Sequence, residues 1–129
     1  MRLFSLMLLS AIVPILVACG SFHPIIPMNY TSSLVNGKDQ QLLFLVNDRM
    51  VNSRGDTLAS YEGRELKNHL NQTIGFVEGG EIRNLQGNVI GRVAVGELQN
   101  LNGRPIMRTE GGTLEEQTRV AAGYFFFLQ

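Results

Sequence analysis

Cysteine, tryptophan and charge are scarce in this sequence. Its 129 residues contain one cysteine and no tryptophan, so an intrachain disulfide is excluded. Charged residues make up only 17%, and eleven basic residues balance eleven acidic ones. That balance excludes a protein that binds nucleic acid through bulk positive charge. A chain of this length holds one small domain.

Catalytic and metal-binding motifs are lacking as well. His23 and His69 each stand alone in the sequence, whereas a metal site needs several converging ligands. Neither a Gly-x-Ser-x-Gly nucleophile elbow nor a Gly-Lys-Ser/Thr phosphate loop occurs. The acidic residues are scattered, which is only a weak signal for the paired carboxylates of a glycosidase. We therefore expect no catalytic residue, no metal and no cofactor, and predict that the protein is not an enzyme.

The first eighteen residues have the parts of a secretory signal. A short positive start, Met1-Arg2, is followed by an apolar run over residues 3–17 and by the small residue Ala18. The run of about 15 residues is shorter than the roughly 20 that a membrane-spanning helix needs. Residues 1–18 are therefore predicted to be a signal peptide.

The end of that run, Leu16-Val17-Ala18-Cys19, resembles the lipobox of bacterial lipoproteins. The resemblance implies that Cys19 is acylated on sulfur, palmitate being one such group, and becomes the first residue of the mature chain. Gly20 rather than an aspartate follows, which in a Gram-negative cell implies the outer membrane. Residues 19–33, with two prolines, are expected to form a lipidated N-terminus and an extended tether. The alternative is a plain secretory signal with an incidental cysteine.

A 16-residue repeat runs through the rest of the chain. Apolar residues recur at Met50, Leu66, Ile82, Leu98 and Leu114. In most units an Asn follows two residues later and a Gly five residues later, which is typical of a type I turn. The runs between turns are of strand length and rich in branched residues, so each unit is predicted to be a β-hairpin. The predicted structural turn residues are Asn52, Gly55, Asn68, Asn84, Gly87, Asn100 and Gly103.

These units predict an all-β fold, a meander of about five hairpins packed around a pseudo-symmetry axis. The hairpin-repeat domain is expected over residues 49–129. Residues 34–48 are expected to be a degenerate leading unit or a strand, because Leu34 lies sixteen residues before Met50. The last unit lacks the Asn and Gly, and its apolar end, residues 124–128, is predicted to be a buried closing strand. The alternative is an exposed aromatic strand that docks a partner.

Residues 80–93, with their Gly-Asn-x-Ile-Gly core, resemble the four-fold beta flower domains. The resemblance implies short hairpin repeats arranged about a pseudo-symmetry axis. It implies no settled activity and no functional residue. This sequence has five units, or six with the leading one, against four in that family, which leaves open whether the ring closes.

Two arginines are the remaining candidates for partner binding. Arg92 and Arg108 occupy the same position in successive units. They are expected on a solvated strand face; the alternative is a basic strip on one rim that binds lipopolysaccharide, peptidoglycan or an envelope protein.

Together these features predict a cell-envelope lipoprotein, a structural or interaction module held at a membrane by its lipid anchor. Its expected partners are an envelope protein or a cell-wall glycan surface, not nucleic acid. The alternative function is an envelope enzyme, or a binder of a small ligand or glycan that uses rim carboxylates and arginines.

Overall fold

The computed structural model describes residues 26–27 and 29–129. The predicted signal peptide, Cys19 and the first part of the predicted tether lie outside the described residues. The tether is predicted to reach residue 33, but Ser32 and Ser33 belong to the first strand and are buried. The prediction for these two residues is wrong, because their backbone pairs with strands on both sides.

Ten antiparallel strands form one closed barrel. Each strand pairs with its neighbours in the chain, and the first pairs with the last, so the sheet has no free edge. The strands are β1 (Ser32–Val35), β2 (Gln41–Val46), β3 (Arg49–Asn52), β4 (Thr57–Glu62), β5 (Glu65–Lys67), β6 (Thr73–Glu78), β7 (Glu81–Arg83), β8 (Val89–Ala94), β9 (Glu97–Gln99) and β10 (Pro105–Glu110).

The 16-residue period arises because each unit contributes one short strand and one six-residue strand. The apolar residue that opens each repeat points into the barrel and is fully buried in all five units: Leu34, Met50, Leu66, Ile82 and Leu98. A second buried ring lies beside it, made by Leu45, Tyr61, Val77, Val93 and Thr109. Members of the two rings pair across strands, as Val77 does with Ile82. The repeat thus encodes two internal layers of the barrel wall.

Every unit also has a β-bulge at the same place in its long strand. The register skips one apolar residue in each unit: Leu42, Leu58, Ile74, Ile90 and Ile106. A bulge bends its strand and increases the local twist, which favours closure of a small barrel. These residues are partly buried against the core.

The predicted all-β, pseudo-symmetric fold is confirmed. The leading segment is not degenerate, however: β1 and β2 form a complete hairpin unit, and β1 closes the ring by pairing with β10. The five units of the ring therefore start at Leu34, Met50, Leu66, Ile82 and Leu98.

The predicted fifth hairpin, which starts at Leu114, is wrong. Residues Leu114–Gly123 form an α-helix, α1, and Tyr124–Leu128 continue it as a π-helical segment instead of a closing strand. The helix starts at a capping box: the Thr113 hydroxyl accepts from the Glu116 N–H, and the Glu116 carboxylate accepts from the Thr113 N–H. The Thr-x-x-Glu spacing was a readable sequence signal for a helix start.

Helix α1 fills the barrel along its axis. Val120, Ala121 and Ala122 are fully buried. Gly123 lies so close to Leu43 and Met50 that any Cβ there would overlap both side chains. Small residues on this face let the helix fit inside the narrow ring of strands. The C-terminal segment of the chain therefore fills the interior of the barrel.

The aromatic end of the helix is matched by glycines in the wall. One inward position of the repeat varies in size around the ring, as Leu43, Ala59, Gly75, Gly91 and Met107. A Cβ at Gly91 would overlap the ring of Phe125, and one at Gly75 would overlap the ring of Phe126. The backbone of the wall repeats in every unit, but the sizes of its inward side chains differ from unit to unit and match the single helix inside.

We expect the change Gly91→Ala to destabilise the protein by about 1–3 kcal/mol, because the added methyl group overpacks the core against Phe125. Urea unfolding measures the change. The control is Gly37→Ala, since nothing lies within 4 Å of a Cβ at Gly37. The double variant Gly91→Ala/Phe125→Leu should recover part of the loss. Equal stability of Gly91→Ala and Gly37→Ala would contradict the proposed fit.

Candidate interaction surfaces

One end of the barrel is built from five equivalent turns, and we call it the Asn rim. In each turn the Asn Oδ1 accepts hydrogen bonds from the backbone N–H groups two and four residues later, at 2.9–3.0 Å. The N–H three residues later donates to the Asn carbonyl oxygen. These side chains therefore hold the turns together. The five asparagines are Asn36, Asn52, Asn68, Asn84 and Asn100.

The predicted turn glycines lie at the fourth position of these turns. Gly55, Gly87 and Gly103 have φ of 87°, 87° and 81°, the left-handed region that glycine adopts without a steric penalty. Asn36 occupies the matching position of the leading unit but was not among the predicted turn residues; that unit has Asp39 in place of the glycine. That aspartate adopts φ of 62°.

The Asn rim carries several exposed apolar side chains. Leu70, Leu85 and Leu101 project from three of its turns, and each is between 54% and 63% exposed. Leu128 is exposed at the end of the π-helical segment. With Ile26, these are five of the seven large apolar residues exposed in the part of the chain that the structure describes. Apolar side chains gathered at one end of a molecule mark a candidate interaction surface.

The segment before β1 runs along the outside of the barrel towards the Asn rim. Phe44 points outward yet is fully buried, because Tyr30 packs on it edge-to-face at 5.1 Å between ring centroids. The Tyr30 hydroxyl accepts a hydrogen bond from Gln41 Nε2 at 3.2 Å. Further back, Ile26 lines a groove with residues of the first two turns of the Asn rim. Those two turns lack a leucine, so Ile26 supplies the apolar side chain there.

The opposite end, which we call the short-turn rim, is acidic. Its turns are at residues 47–48, 63–64, 79–80, 95–96 and 111–112. All of the eleven acidic residues except Asp39 and Asp56 lie in these turns, in the flanking strand ends or in the first turn of α1. Seven of these nine acidic residues form ion pairs with Arg or Lys side chains, among them Glu78 with Arg64 at 2.7 Å and Glu62 with Lys67 at 2.7 Å, but the acidic residues still outnumber the basic ones. The two ends of the barrel thus differ in charge.

Helix α1 is fastened at the short-turn rim through Arg119. Its guanidinium bonds Asp48 at 3.0 Å and the Gly63 carbonyl at 3.0 Å, and lies 4.9 Å from the centroid of the Tyr61 ring. The Tyr61 hydroxyl donates to the Arg119 carbonyl at 2.6 Å. Burial raises the pKa of Tyr61, so this donor keeps its proton. With its start held here, the helix runs through the barrel and ends at the Asn rim.

Glu116 fixes the start of the same helix. The hydrogen bond from the Thr113 N–H holds the pKa of its carboxyl below the usual range. A carboxylate at a helix N-terminus also interacts favourably with the helix dipole. Both effects keep the capping box in its charged form.

Arg92 and Arg108 lie on the outer wall and not on either rim. Each sits between two inward positions of its strand, so it points outward from mid-strand. Arg108 bonds Asp39 at 2.7 Å and Glu110 at 2.8 Å, which raises the pKa of Arg108. Arg92 lies 3.7 Å from Glu81. Both arginines thus lie on a solvated strand face, as expected, and do not form the alternative strip on one rim; nearby carboxylates offset both charges.

Among residues 26–27 and 29–129, the remaining candidate side chains form no catalytic or metal-binding cluster. His69 is exposed in its turn. No group of three His, Cys, Asp or Glu side chains in this part of the chain is arranged to hold a metal. Among the same residues, no helix has the length and apolar character that would let it cross a membrane.

One turn of the short-turn rim is strained. Val95 is 97% exposed and has φ of 52°, a conformation that is unfavourable for a β-branched residue. The equivalent positions hold Asn47, Gly63 and Gly79, residue types that tolerate it. Nothing in the structure explains the valine at this position.

A family model described as "5-fold beta-flower protein" matches residues 28–128. No curated protein and no solved structure matches the chain. The number of units in the matching family agrees with the five hairpins of the ring. The resemblance to the four-fold beta flower domains was therefore right about the kind of repeat and wrong about the number.

We expect Asn84→Ala to destabilise the protein by about 1 kcal/mol, because two backbone N–H groups lose their acceptor. Asn84→Asp keeps an oxygen acceptor and should retain most of the stability. Thermal unfolding compares both with the neighbouring exposed control Gln86→Ala. If all three variants melted together, the Asn side chain would have no part in holding the turn.

We expect Val95→Gly to stabilise the protein by about 1 kcal/mol, since a left-handed conformation costs about 1–2 kcal/mol for a residue with a Cβ. Val95→Asn, which copies Asn47, should act in the same direction. Val95→Ala is the matched control, because it keeps the Cβ. Urea midpoints for Gly and Asn no higher than that for Ala would show that the turn is not strained.

Proposed function

This chain belongs to the 5-fold beta-flower family, and from that premise we propose that it is an interaction module displayed at the cell envelope by a lipid on Cys19. The closed barrel would act as a rigid body that presents a surface to a partner. It would not act as a container for a small molecule.

The observation that carries this proposal is the filled axis. In a ring of hairpins, the axis is the place where a small ligand could be enclosed. Here α1 occupies it, with Val120, Ala121 and Ala122 fully buried and Phe125 packed against Gly91. A barrel filled in this way can contact a partner through its outer surface. The two unlike rims are the most distinctive parts of that surface.

The anchoring part of the proposal is supported by the sequence. The apolar run of residues 3–17 precedes Leu16-Val17-Ala18-Cys19, and Cys19 is the only cysteine. Several acyl chains hold a protein on a membrane far more stably than one. Gly20 favours the outer membrane of a Gram-negative envelope. The partner would then be an envelope protein or a cell-wall glycan within reach of that membrane.

The alternative, an envelope enzyme or a glycan binder, stays a prediction without a specific observation in its favour. It relies on rim carboxylates together with arginines. The two arginines that the repeat singled out, Arg92 and Arg108, lie on the outer wall beside Glu81 and Asp39. Their charges are thus partly satisfied within the barrel wall.

We expect Cys19→Ala to release the protein from the membrane fraction, because the sulfur that carries the acyl group is lost. Intact mass of the membrane-extracted wild-type protein should equal the chain from Cys19 onward plus acyl groups. Ser21→Ala, a change of similar size two residues away, is the control and should stay anchored. A wild-type mass without acyl groups, or a Cys19→Ala variant that remains in the membrane, would refute the lipid anchor.

A further inference from the structure

We propose that the Asn rim rests on the lipid bilayer and that the acidic short-turn rim points away from it. This inference rests on the proposed lipidation of Cys19 and specifies how the anchored barrel is oriented. The occupant of the exposed leucine surface is then the membrane interface itself.

The distribution of exposed apolar side chains supports this orientation. Leu70, Leu85 and Leu101 project from three turns of the Asn rim, Ile26 shares a groove with residues of the other two turns, and Leu128 is exposed at the end of the π-helical segment. Apolar side chains exposed at one end of a barrel can enter a bilayer interface together. The burial of each contributes to membrane affinity.

The backbone of the Asn rim is suited to such contact. Within each turn the Asn side chain already accepts two backbone N–H groups. Burying an unpaired amide in an apolar environment is costly. Because those amides are hydrogen-bonded within the turn, the leucines can lie in the interface without leaving backbone N–H groups unpaired there.

The direction of the N-terminal segment also favours this end. The chain leaves β1 at the short-turn rim, passes over Phe44 and reaches the Asn rim at Ile26. Six residues lie between Cys19 and Ile26, and the seven Cα–Cα steps that join the two span at most about 25 Å when fully extended. A six-residue strand is itself about 20 Å long. Turning the short-turn rim to the membrane would therefore use most of the tether to run back along the barrel.

The distribution of charge over the two rims favours the same orientation. The Asn rim carries Lys38, Arg54 and Arg104 against Asp39 and Asp56, and Asp39 is paired with Arg108. The other nine acidic residues lie around the short-turn rim, where seven of them pair with Arg or Lys side chains and a small excess of negative charge is left. Anionic headgroups attract basic residues that lie near the surface and repel acidic ones within a Debye length. The acidic end is thus the end that a bilayer surface would disfavour.

The test places one fluorophore on each rim of the full-length protein. Because Cys19 is the only cysteine and would be acylated, Leu85→Cys introduces a single free thiol for a polarity-sensitive dye. Val95→Cys is the matched control, since Val95 is apolar, 97% exposed and located on the short-turn rim. Leu101→Cys gives a second position on the Asn rim should one label disturb its turn. Each labelled protein is reconstituted into vesicles of phosphatidylethanolamine and phosphatidylglycerol, with or without brominated acyl chains.

We expect brominated lipid to remove about half or more of the emission at positions 85 and 101, because side chains of an interfacial surface lie ~5–10 Å into the headgroup boundary. Emission at position 95 should be unchanged. Equal quenching at both rims, or quenching at position 95 alone, would overturn the orientation.

Flotation of the same samples separates the two proposals. Protein that floats with the vesicles while neither Asn-rim label is quenched would overturn the orientation and leave the lipid anchor standing. The Asn rim would then be free for a protein partner. Protein that does not float would overturn both proposals.

Discussion

The structure depends on the steric fit between the ring of hairpins and the helix inside it. Ten strands in a closed ring leave an interior that must be filled, because voids forfeit dispersion contacts and destabilise the fold. This chain fills it with its own C-terminal segment, small at Ala121, Ala122 and Gly123 and large at the phenylalanines that follow. The barrel wall has Gly91 and Gly75 at the positions against which the rings of Phe125 and Phe126 pack. Ring and helix therefore form one core.

The same arrangement makes the two ends of the barrel different. The helix enters at the short-turn rim, where Arg119 joins it to Asp48 and to the Gly63 carbonyl, and its apolar end reaches the Asn rim. A five-fold backbone alone would give each rim five equivalent turns. Side chains break that equivalence: acidic residues gather at one rim, and exposed leucines gather at the other. An oriented surface module needs a difference of this kind, and it arises here without any change of the repeat length.

The parts of the fold that depend on local patterns were predictable. Asn84 and its equivalents predicted turns, because the Asn side chain bonds its own following backbone. Branched residues between the turns predicted strands of the observed length. The last unit was misread because Leu114 continues the 16-residue spacing by coincidence, while the capping box of Thr113 and Glu116 was the stronger local signal. Arg92 and Arg108 were expected on a solvated strand face and lie there, but only the structure excluded the alternative of a rim strip, since the strand register decides where position-equivalent residues lie along the barrel wall.

The sequence by itself determined the repeat, the turn chemistry, the alternation of inward and outward residues and the resemblance of Cys19 to a lipidation site, because each of these depends on residues close together in the chain. Only the tertiary structure decided that five units close a ring, that the C-terminal segment is a helix within it, and that the segment around Tyr30 returns along the outer wall. Those outcomes depend on contacts between distant residues, such as β1 with β10 and Gly91 with Phe125. Contacts of that kind depend on the space inside the closed ring, and the spacing of residues along the chain does not reveal that space.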